Sequence, residues 1–178
     1  MIKPALQGEA FLADVRNAAS LQDELHIWWL GQSGFLVQWS GRHLLFDPYL
    51  SDSLSRKYAA TDKPHTRMSG LVISPDALDF IDIATSSHNH TDHLDGETLT
   101  ALIQGNPEME LLVPTANRAF AADRLGIDPD QLQAIDARQS IVLGPIELHA
   151  VPAAHEELAK DDLGRHQFVG YVAKLGPW

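Results

Sequence analysis

The segment of residues 86–95, SSHNHTDHLD, is dense in side chains that can bind a metal ion. His88, His90, Asp92 and His93 form the pattern H-x-H-x-D-H, and the chain contains no cysteine. Imidazole and carboxylate are the groups that zinc, manganese and iron accept from a protein that offers no thiolate. A polar surface loop is the alternative, but this pattern directly after a buried apolar strand would rarely arise by chance. We therefore interpret the segment as a metal site.

The spacing within the segment divides these ligands into two sets. His88 and His90 are two residues apart, so their side chains point the same way on extended backbone but not on a helix. Asp92 and His93 follow at the turn where the next helix is predicted to begin. Two imidazoles on one side, with a carboxylate and an imidazole on the other, suit two adjacent divalent cations. The sequence thus predicts one or two zinc or manganese ions, with iron as a further option.

His155 is a candidate for a third ligand of the first cation. It lies 62 positions after His93, at the end of a predicted hairpin strand, where ligand-bearing loops often begin. A lone histidine at such a place is more often a solvated loop residue, but a cation still short of a protein ligand favours His155. The other histidines have no partner at metal-ligand spacing and are interpreted as structural or surface residues: His26, His43, His65, His149 and His166.

Short apolar runs separated by turn signals predict the strands that must position these ligands. Three of them predict an antiparallel meander with a tight turn at Ser40–Gly41: residues 25–30, 35–40 and 43–47. Residues 79–87, DFIDIATSS, predict a buried central strand that leads straight into the histidine cluster. Further strands are predicted at three places: residues 109–114, a hairpin around Gly144–Pro145, and residues 166–176.

Capping residues and glycines mark the predicted helices. An amphipathic helix is predicted near the N-terminus, over residues 9–19. Asp95 is expected to cap a second helix, and Thr115 to cap a third that ends at Gly126. Residues 48–70 are polar and rich in turn signals, and loops of this length often have a function, for example as lids.

Composition and charge limit the classes of partner. The 178 residues are enough for one domain, with 44% apolar and 21% charged residues. A net charge of -11 argues against nucleic acid or an anionic membrane as the main partner. It is compatible with a small phosphorylated substrate, because a bound metal reverses the local sign. The N-terminus lacks the apolar core of a signal peptide, and we expect a cytoplasmic protein.

The cluster and its surroundings resemble a known family. H-x-H-x-D-H after a buried strand is the signature of the metallo-β-lactamase superfamily. The stretches WWLGQSGFLVQWSGRHLLFDPYLSDS and SSHNHTDHLD look most similar to its L-ascorbate-6-phosphate lactonase-like branch, with N-acyl phosphatidylethanolamine phospholipase D as a more distant relative. The resemblance implies an α/β fold, a four-layer αββα sandwich, as a single domain over residues 1–178. The metals would lie at one edge, between two central sheets.

The resemblance also implies roles for the candidate ligands. His88, His90 and His155 match the ligands of the first metal, and Asp92 and His93 match those of the second. The family's bridging aspartate and its final histidine have no counterpart here, so the chain is expected to be the N-terminal part of the fold. An uncovered sheet face would follow, and we expect the chain to associate with itself or with a missing C-terminal segment.

Charge suggests the mechanism that such a site would use. A water bound to divalent cations loses a proton near neutral pH, and the hydroxide attacks a carbonyl or phosphorus held against the metals. Asp92 would be both a ligand and the catalytic residue that orients this hydroxide. The leading hypothesis is a hydrolase that opens a lactone, or cleaves an ester or amide, in a small substrate that can carry a phosphate. A phosphodiesterase on the same scaffold and a catalytically incomplete metal-binding fragment are the alternatives.

Several other polar residues are weaker candidates. Asp47 ends a predicted strand before a proline; it is either a turn residue or a carboxylate that holds a histidine ligand. Gln32 lies in the glycine-flanked turn GQSGF, which could approach the site. Lys63, with Lys57 and Tyr58, lies in the long polar segment and could bind an anionic substrate, although lysines there are more often only solvated.

Overall fold

The larger of two β-sheets begins as the antiparallel meander that the sequence predicts. The computed structural model describes residues 1–178, and in it the first three strands pair in sequence order. Their bounds are β1 Leu25–Gly31, β2 Gly34–Trp39 and β3 Arg42–Phe46. Ser40 and Gly41 both have positive φ, 49° and 74°, as a two-residue hairpin turn of the primed type requires. The predicted meander and its turn are therefore confirmed.

Three parallel strands complete this sheet, in the order β1-β2-β3-β4-β5-β6. Their bounds are β4 Ile83–Thr85, β5 Glu110–Pro114 and β6 Gln133–Ile135. The predicted strand over residues 79–87 is only three residues long, but it is central as expected. Because β3 and β4 are parallel, the chain leaves both strands at the same edge of the sheet. This edge carries Asp47 after β3 and the histidine cluster after β4.

Four helices connect or precede these strands. They are α1 Glu9–Ala18, α2 Ser53–Tyr58, α3 Gly96–Gly105 and α4 Arg118–Leu125. The Asp95 side chain accepts a hydrogen bond from Thr98 N at the start of α3, which confirms the predicted cap. Gly126 ends α4 with φ of 67°, also as predicted.

Two expectations for these connections are wrong. Thr115 does not cap α4; it begins a 3-10 turn, Thr115–Asn117, and α4 starts afterwards without a side-chain cap. The segment 48–70 is not one irregular loop, since α2 forms within it. Arg67 folds the rest of this segment back, because its buried guanidinium donates to Ser51 O and to Asp52 Oδ1.

A smaller antiparallel sheet packs against the first. Its strands are β7 Ser140–Leu143, β8 Ile146–Pro152 and β9 Val169–Leu175, in that order. The predicted hairpin at Gly144–Pro145 is therefore confirmed. Alternate residues of the strands face each other across the two sheets, among them Val37, Leu44, Leu148 and Val169, and form an apolar core.

A second apolar core lies between the helices and the larger sheet. Phe11 of α1 and Leu102 of α3 pack there with Leu36 and Leu45 of the sheet. The chain therefore forms three successive layers, helices, larger sheet and smaller sheet, of the α/β sandwich. The fourth layer of the predicted arrangement is not formed by any helix of residues 1–178.

The outer face of the smaller sheet lies where that fourth layer would pack. Its valines are exposed: Val142, Val151 and Val172. The same sheet also carries a charged row, in which Glu147 lies 3.4 Å from His149 and 3.9 Å from Lys174. In the whole chain, none of the helices combines the length and the apolar character needed to cross a membrane.

Candidate metal centre

The histidine cluster lies on a tight loop that follows β4. The Leu94 amide donates to His90 O at 2.8 Å, and the His93 amide donates to the same oxygen at 3.0 Å. From outside the loop, Arg124 Nη1 donates to Asn89 O at 2.8 Å and to Leu94 O at 2.9 Å. No helix forms over residues 86–93, as the two-residue spacing of His88 and His90 requires.

Four histidine rings converge at this loop. The ring centroid of His88 lies 4.6 Å from that of His90 and 4.1 Å from that of His93. His155, on the loop after β8, places its ring 4.7 Å from His90 and 6.2 Å from His88. Residues from the two sheets therefore meet at one place, with 65 positions of sequence between His90 and His155.

Asp47 fixes the orientation of His93. Its Oδ2 lies 2.6 Å from His93 Nδ1, while its Oδ1 accepts from the Ser87 amide at 2.9 Å and from Thr85 Oγ1 at 3.2 Å. Asp47 is buried, with 8% of the residue exposed, and the Ser87 hydroxyl donates to its carboxylate as well. Because Asp47 occupies the Nδ1 side, His93 presents Nε2 to a ligand. That nitrogen lies 3.8 Å from Asp92 Oδ2.

One buried nitrogen of the cluster is suited to bind a cation. His88 Nε2 is buried and has no hydrogen-bond partner, which costs about 1–3 kcal/mol in a buried site. His88 Nδ1, by contrast, contacts Ser87 Oγ at 3.0 Å. A cation next to His88 Nε2 would be bound through the lone pair of this nitrogen.

Asp47, His88 and His93 form an alternative set of potential metal ligands. Asp47, His88 and His93 each place one ligand atom within 4.8 Å of the others. Asp47 and His93 are already hydrogen-bonded to each other at 2.6 Å, and carboxylate–histidine pairs commonly support a metal from behind the ligand. The Nε2 atoms of His88 and His93 are therefore the ones left for a cation.

Burial and neighbouring charge set the protonation of the histidines. Burial, reinforced by His93 and His90, lowers the pKa of His88 to about 4. Burial and the nearby His155 lower the pKa of His90. Burial also acts to lower the pKa of His93, but the hydrogen bond and charge of Asp47 outweigh it and raise that pKa. His88 and His90 are thus neutral at pH 7, the state that binds metal.

A turn between β1 and β2 holds Asp92. Gln32 Nε2 donates to Asp92 Oδ2 at 3.3 Å, with Gln32 at a positive φ of 50°. Ser33 Oγ contacts Asp92 O at 2.6 Å and Asp47 O at 3.3 Å. The glycine-flanked turn therefore reaches the site. Sequence reasoning noticed Gln32 but missed Ser33, although both lie in the same GQSGF stretch.

A cavity of about 440 Å³ opens beside His90 and Asp92. Lys57, Tyr58 and Arg124 contribute to its wall. Lys63, the lysine favoured from the sequence, is exposed and lies outside that wall. Lys57 of the same segment is the lysine brought to the cavity.

Two aromatic residues of the C-terminal part contact the site and were not anticipated. The ring of Phe168 lies 4.9 Å from His88 and 5.8 Å from His155. Tyr171 donates its hydroxyl to Ser86 O at 3.0 Å, and burial raises the pKa of this phenol well above its ordinary value. No spacing rule marks either residue, because both reach the site through the packing of one sheet on the other.

Curated relatives match a large part of the chain. Uncharacterized proteins of Mycobacterium tuberculosis and Mycobacterium bovis are 30% identical over 131 residues, which is 74% of this chain and 34% of each relative. The chain thus spans about a third of the length of these relatives.

Solved structures share the fold. CmlA, a diiron β-hydroxylase from Streptomyces venezuelae, matches with a TM-score of 0.57 and 23% identity over 86% of this chain and 28% of that one. Igni18, a metallo hydrolase from Ignicoccus hospitalis, matches with a TM-score of 0.52 and 15% identity over 85% of this chain and 56% of that one.

The family model gives the assignment. The model described as the beta-lactamase superfamily domain matches residues 26–176. This range contains the meander, the histidine loop and both sheets. The chain therefore belongs to the beta-lactamase superfamily and has the metallo-β-lactamase fold.

Proposed function

We propose that this chain carries the metal centre of a lactonase-like hydrolase, which opens a lactone or cleaves an ester or amide in a small substrate. Two observations support the proposal: the ring centroids of His88, His90 and His155 lie within 4.6 to 6.2 Å of one another, and His88 Nε2 is buried without a hydrogen-bond partner. A histidine set of this kind serves zinc, manganese or iron.

The residues present suggest how two cations would be held. His88, His90 and His155 would bind the first, and Asp92 and His93 the second. Divalent cations bound there supply Lewis acidity and a water whose pKa falls from ~15.7 to about 7. Asp47 would keep the His93 ring in place, since it contacts Nδ1 at 2.6 Å.

Asp92 is the residue of this chain suited to orient the nucleophile. Gln32 and Ser33 hold its side chain and its backbone oxygen, respectively. A carboxylate fixed in this way would accept a hydrogen bond from the nucleophile and keep the nucleophile directed at the substrate carbon. Asp92 also lines the cavity beside the site, so a bound substrate would lie within its reach.

The shape and charge of the surroundings favour a small substrate over a nucleic acid. The cavity of about 440 Å³ is within the range of small-molecule sites. The net charge of -11 opposes a polyanionic backbone. A small phosphodiester would fit the same space, so a phosphodiesterase is the second candidate.

Metal content tests the foundation of this proposal. His90→Ala removes one of the three imidazoles of the first position, so we expect that position to lose its metal on dialysis against a weak chelator. His65→Ala is the control, because His65 contacts Ser55 Oγ at 3.2 Å rather than the cluster. Parent-level metal in His90→Ala would remove the chemical basis of the hydrolase assignment.

Hydrolysis assays then separate the candidate reactions. The metal-loaded chain would be offered a panel of lactones, esters and phosphodiesters. Turnover of lactones that is lost in Asp92→Asn supports the proposal. Turnover of phosphodiesters alone favours the second candidate. Metal binding without turnover of any substrate indicates a catalytically incomplete metal-binding fragment.

A further inference from the structure

Two cations in the wall of the cavity have no carboxylate partner. Of the eight arginines in the chain, six form an ion pair within 4.0 Å, and Arg124 is not among them. Lys57 also forms no ion pair, and its Nζ donates a hydrogen bond to Thr91 Oγ1 at 3.5 Å. In a chain with 24 acidic and 13 basic residues, two cations without an ion pair beside one cavity are unexpected, although the more distant charge of Asp95 acts on Arg124.

Neighbouring groups hold both cations in place. The Arg124 guanidinium carbon lies 4.5 Å from the centroid of the Phe120 ring, and its Nη1 donates to Asn89 O and Leu94 O. The Lys57 ammonium lies 5.2 Å from the centroid of the Tyr58 ring. Cation–π contacts of this kind orient a charge without neutralising it. Both charges therefore remain available to an anion.

The position of the cavity links these cations to the metal centre. The residues that line it include His90, Thr91 and Asp92 of the histidine loop together with Lys57 and Arg124. A molecule in the cavity would thus contact both the candidate metal ligands and the two cations. Two positive charges match a phosphate group, which carries about -1.5 to -2 at neutral pH.

We propose that Lys57 and Arg124 form an anion subsite beside the metal centre that binds a phosphate-sized anionic group of the substrate. This inference rests on the proposed function for the term substrate, but anion binding itself requires no catalysis. Lys57 and Arg124 would then select anionic substrates over neutral analogues of the same size.

Phosphate binding to the metal-free chain tests the subsite separately from hydrolysis. Removing metal matters because phosphate also binds divalent cations directly. We expect inorganic phosphate to shift the backbone amide resonances of Lys57, Thr91 and Arg124 in a saturable manner. Lys57→Ala should weaken this binding about tenfold, as expected for loss of a charge-assisted contact, and Lys57→Arg should restore it.

Lys3→Ala is the matched control. Lys3 is also an exposed lysine without an ion pair, but it lines a different cavity, next to β1. We expect phosphate to bind this variant as tightly as the parent. The subsite is refuted if phosphate does not saturate the parent, or if both alanine variants bind it equally well. A chain that binds phosphate but fails the metal and hydrolysis tests would retain the subsite and lose only the proposed function.

Discussion

Asp47 Oδ2 and His93 Nδ1 lie 2.6 Å apart, although 46 positions of sequence separate the two residues. The contact exists because β3 and β4 are parallel neighbours, so the residues that follow them emerge side by side. The topology of the sheet thus holds Asp47 beside the histidine loop of residues 86–95. Burial acts to lower the pKa of His93, but the Asp47 carboxylate outweighs this effect and raises it.

Asp47→Asn should weaken metal binding while preserving the fold. The amide keeps the shape of the side chain but removes the charge that orients and polarises His93. We expect metal affinity to fall about 10- to 100-fold, as is usual when a carboxylate behind a histidine ligand is replaced. A competition titration against a chromophoric chelator measures this change.

Asp82→Asn provides the comparison for this experiment. Asp82 also lies beside a histidine, with Oδ2 3.9 Å from His43 Nδ1, but His43 is not part of the cluster. The metal affinity of the Asp82→Asn variant should equal that of the parent. Equal affinities in all three proteins would contradict the role assigned to Asp47.

Gly176→Ala should destabilise the fold more than Gly144→Ala. Both glycines have φ of 59°, so both alanines carry a conformational cost of about 1 kcal/mol or more. A Cβ at Gly176 would lie 2.6 Å from Cη2 of Trp39, whereas a Cβ at Gly144 meets no atom within 4 Å. Moving the Trp39 ring should add about 1–3 kcal/mol. Urea unfolding of the two variants measures the difference, and equal losses would contradict it.

Asp136 should stabilise the protein in a pH-dependent manner. Burial alone would raise the pKa of its carboxyl group, but hydrogen bonds from the Ala137 and His166 amides and from His166 Nδ1 outweigh this and hold the pKa below its usual value. A carboxyl group with a lowered folded pKa contributes stability above its unfolded pKa, about 3.9. That contribution is lost as the pH falls through the folded pKa.

Asp136→Asn tests this contribution. At pH 7 the free energy of unfolding should fall by about 1.5–3 kcal/mol, the range for hydrogen bonds to a charged group. The difference from the parent should shrink as the pH is lowered below about 4. Asp130→Asn, at a side chain 91% exposed, should change stability by less than about 0.5 kcal/mol at any pH. A difference at Asp136 that is constant with pH would refute the charge effect.

Turn and capping residues predicted those parts of the fold that depend on interactions between residues close in sequence. The turn at Ser40–Gly41 and the Asp95 cap of α3 depend on residues close in sequence, and both are confirmed. The H-x-H-x-D-H spacing also identified residues that the structure brings together. By contrast, β6 is only three residues long, too short for an alternating pattern to distinguish it from a loop.

Tertiary contacts determine what the sequence did not reveal. Helix α2 has six residues, and Ser53 Oγ donates to Asp95 Oδ1 from 42 positions away to hold its start. Ser33 and Phe168 reach the site only after the chain has folded, since their neighbours there come from distant segments. No sequence signal distinguishes Lys63 from Lys57, because both lie in the same polar segment. Only the short helix shows which of them lines the cavity.

The contact between His90 and His155 has a consequence for the transient opening of the structure between the two sheets. His90 lies on the loop after β4 of the larger sheet and His155 on the loop after β8 of the smaller one. Tyr171 and Val169 of β9 also donate hydrogen bonds to Ser86 O and Ser87 O, across the seam between the same two sheets. A cation bound by both histidines would cross-link the two sheets. By mass action, its binding would oppose their separation in proportion to the logarithm of the free metal concentration. Amide hydrogens along this seam would then exchange more slowly as metal becomes abundant, and scarcity of metal would expose the same seam to proteases.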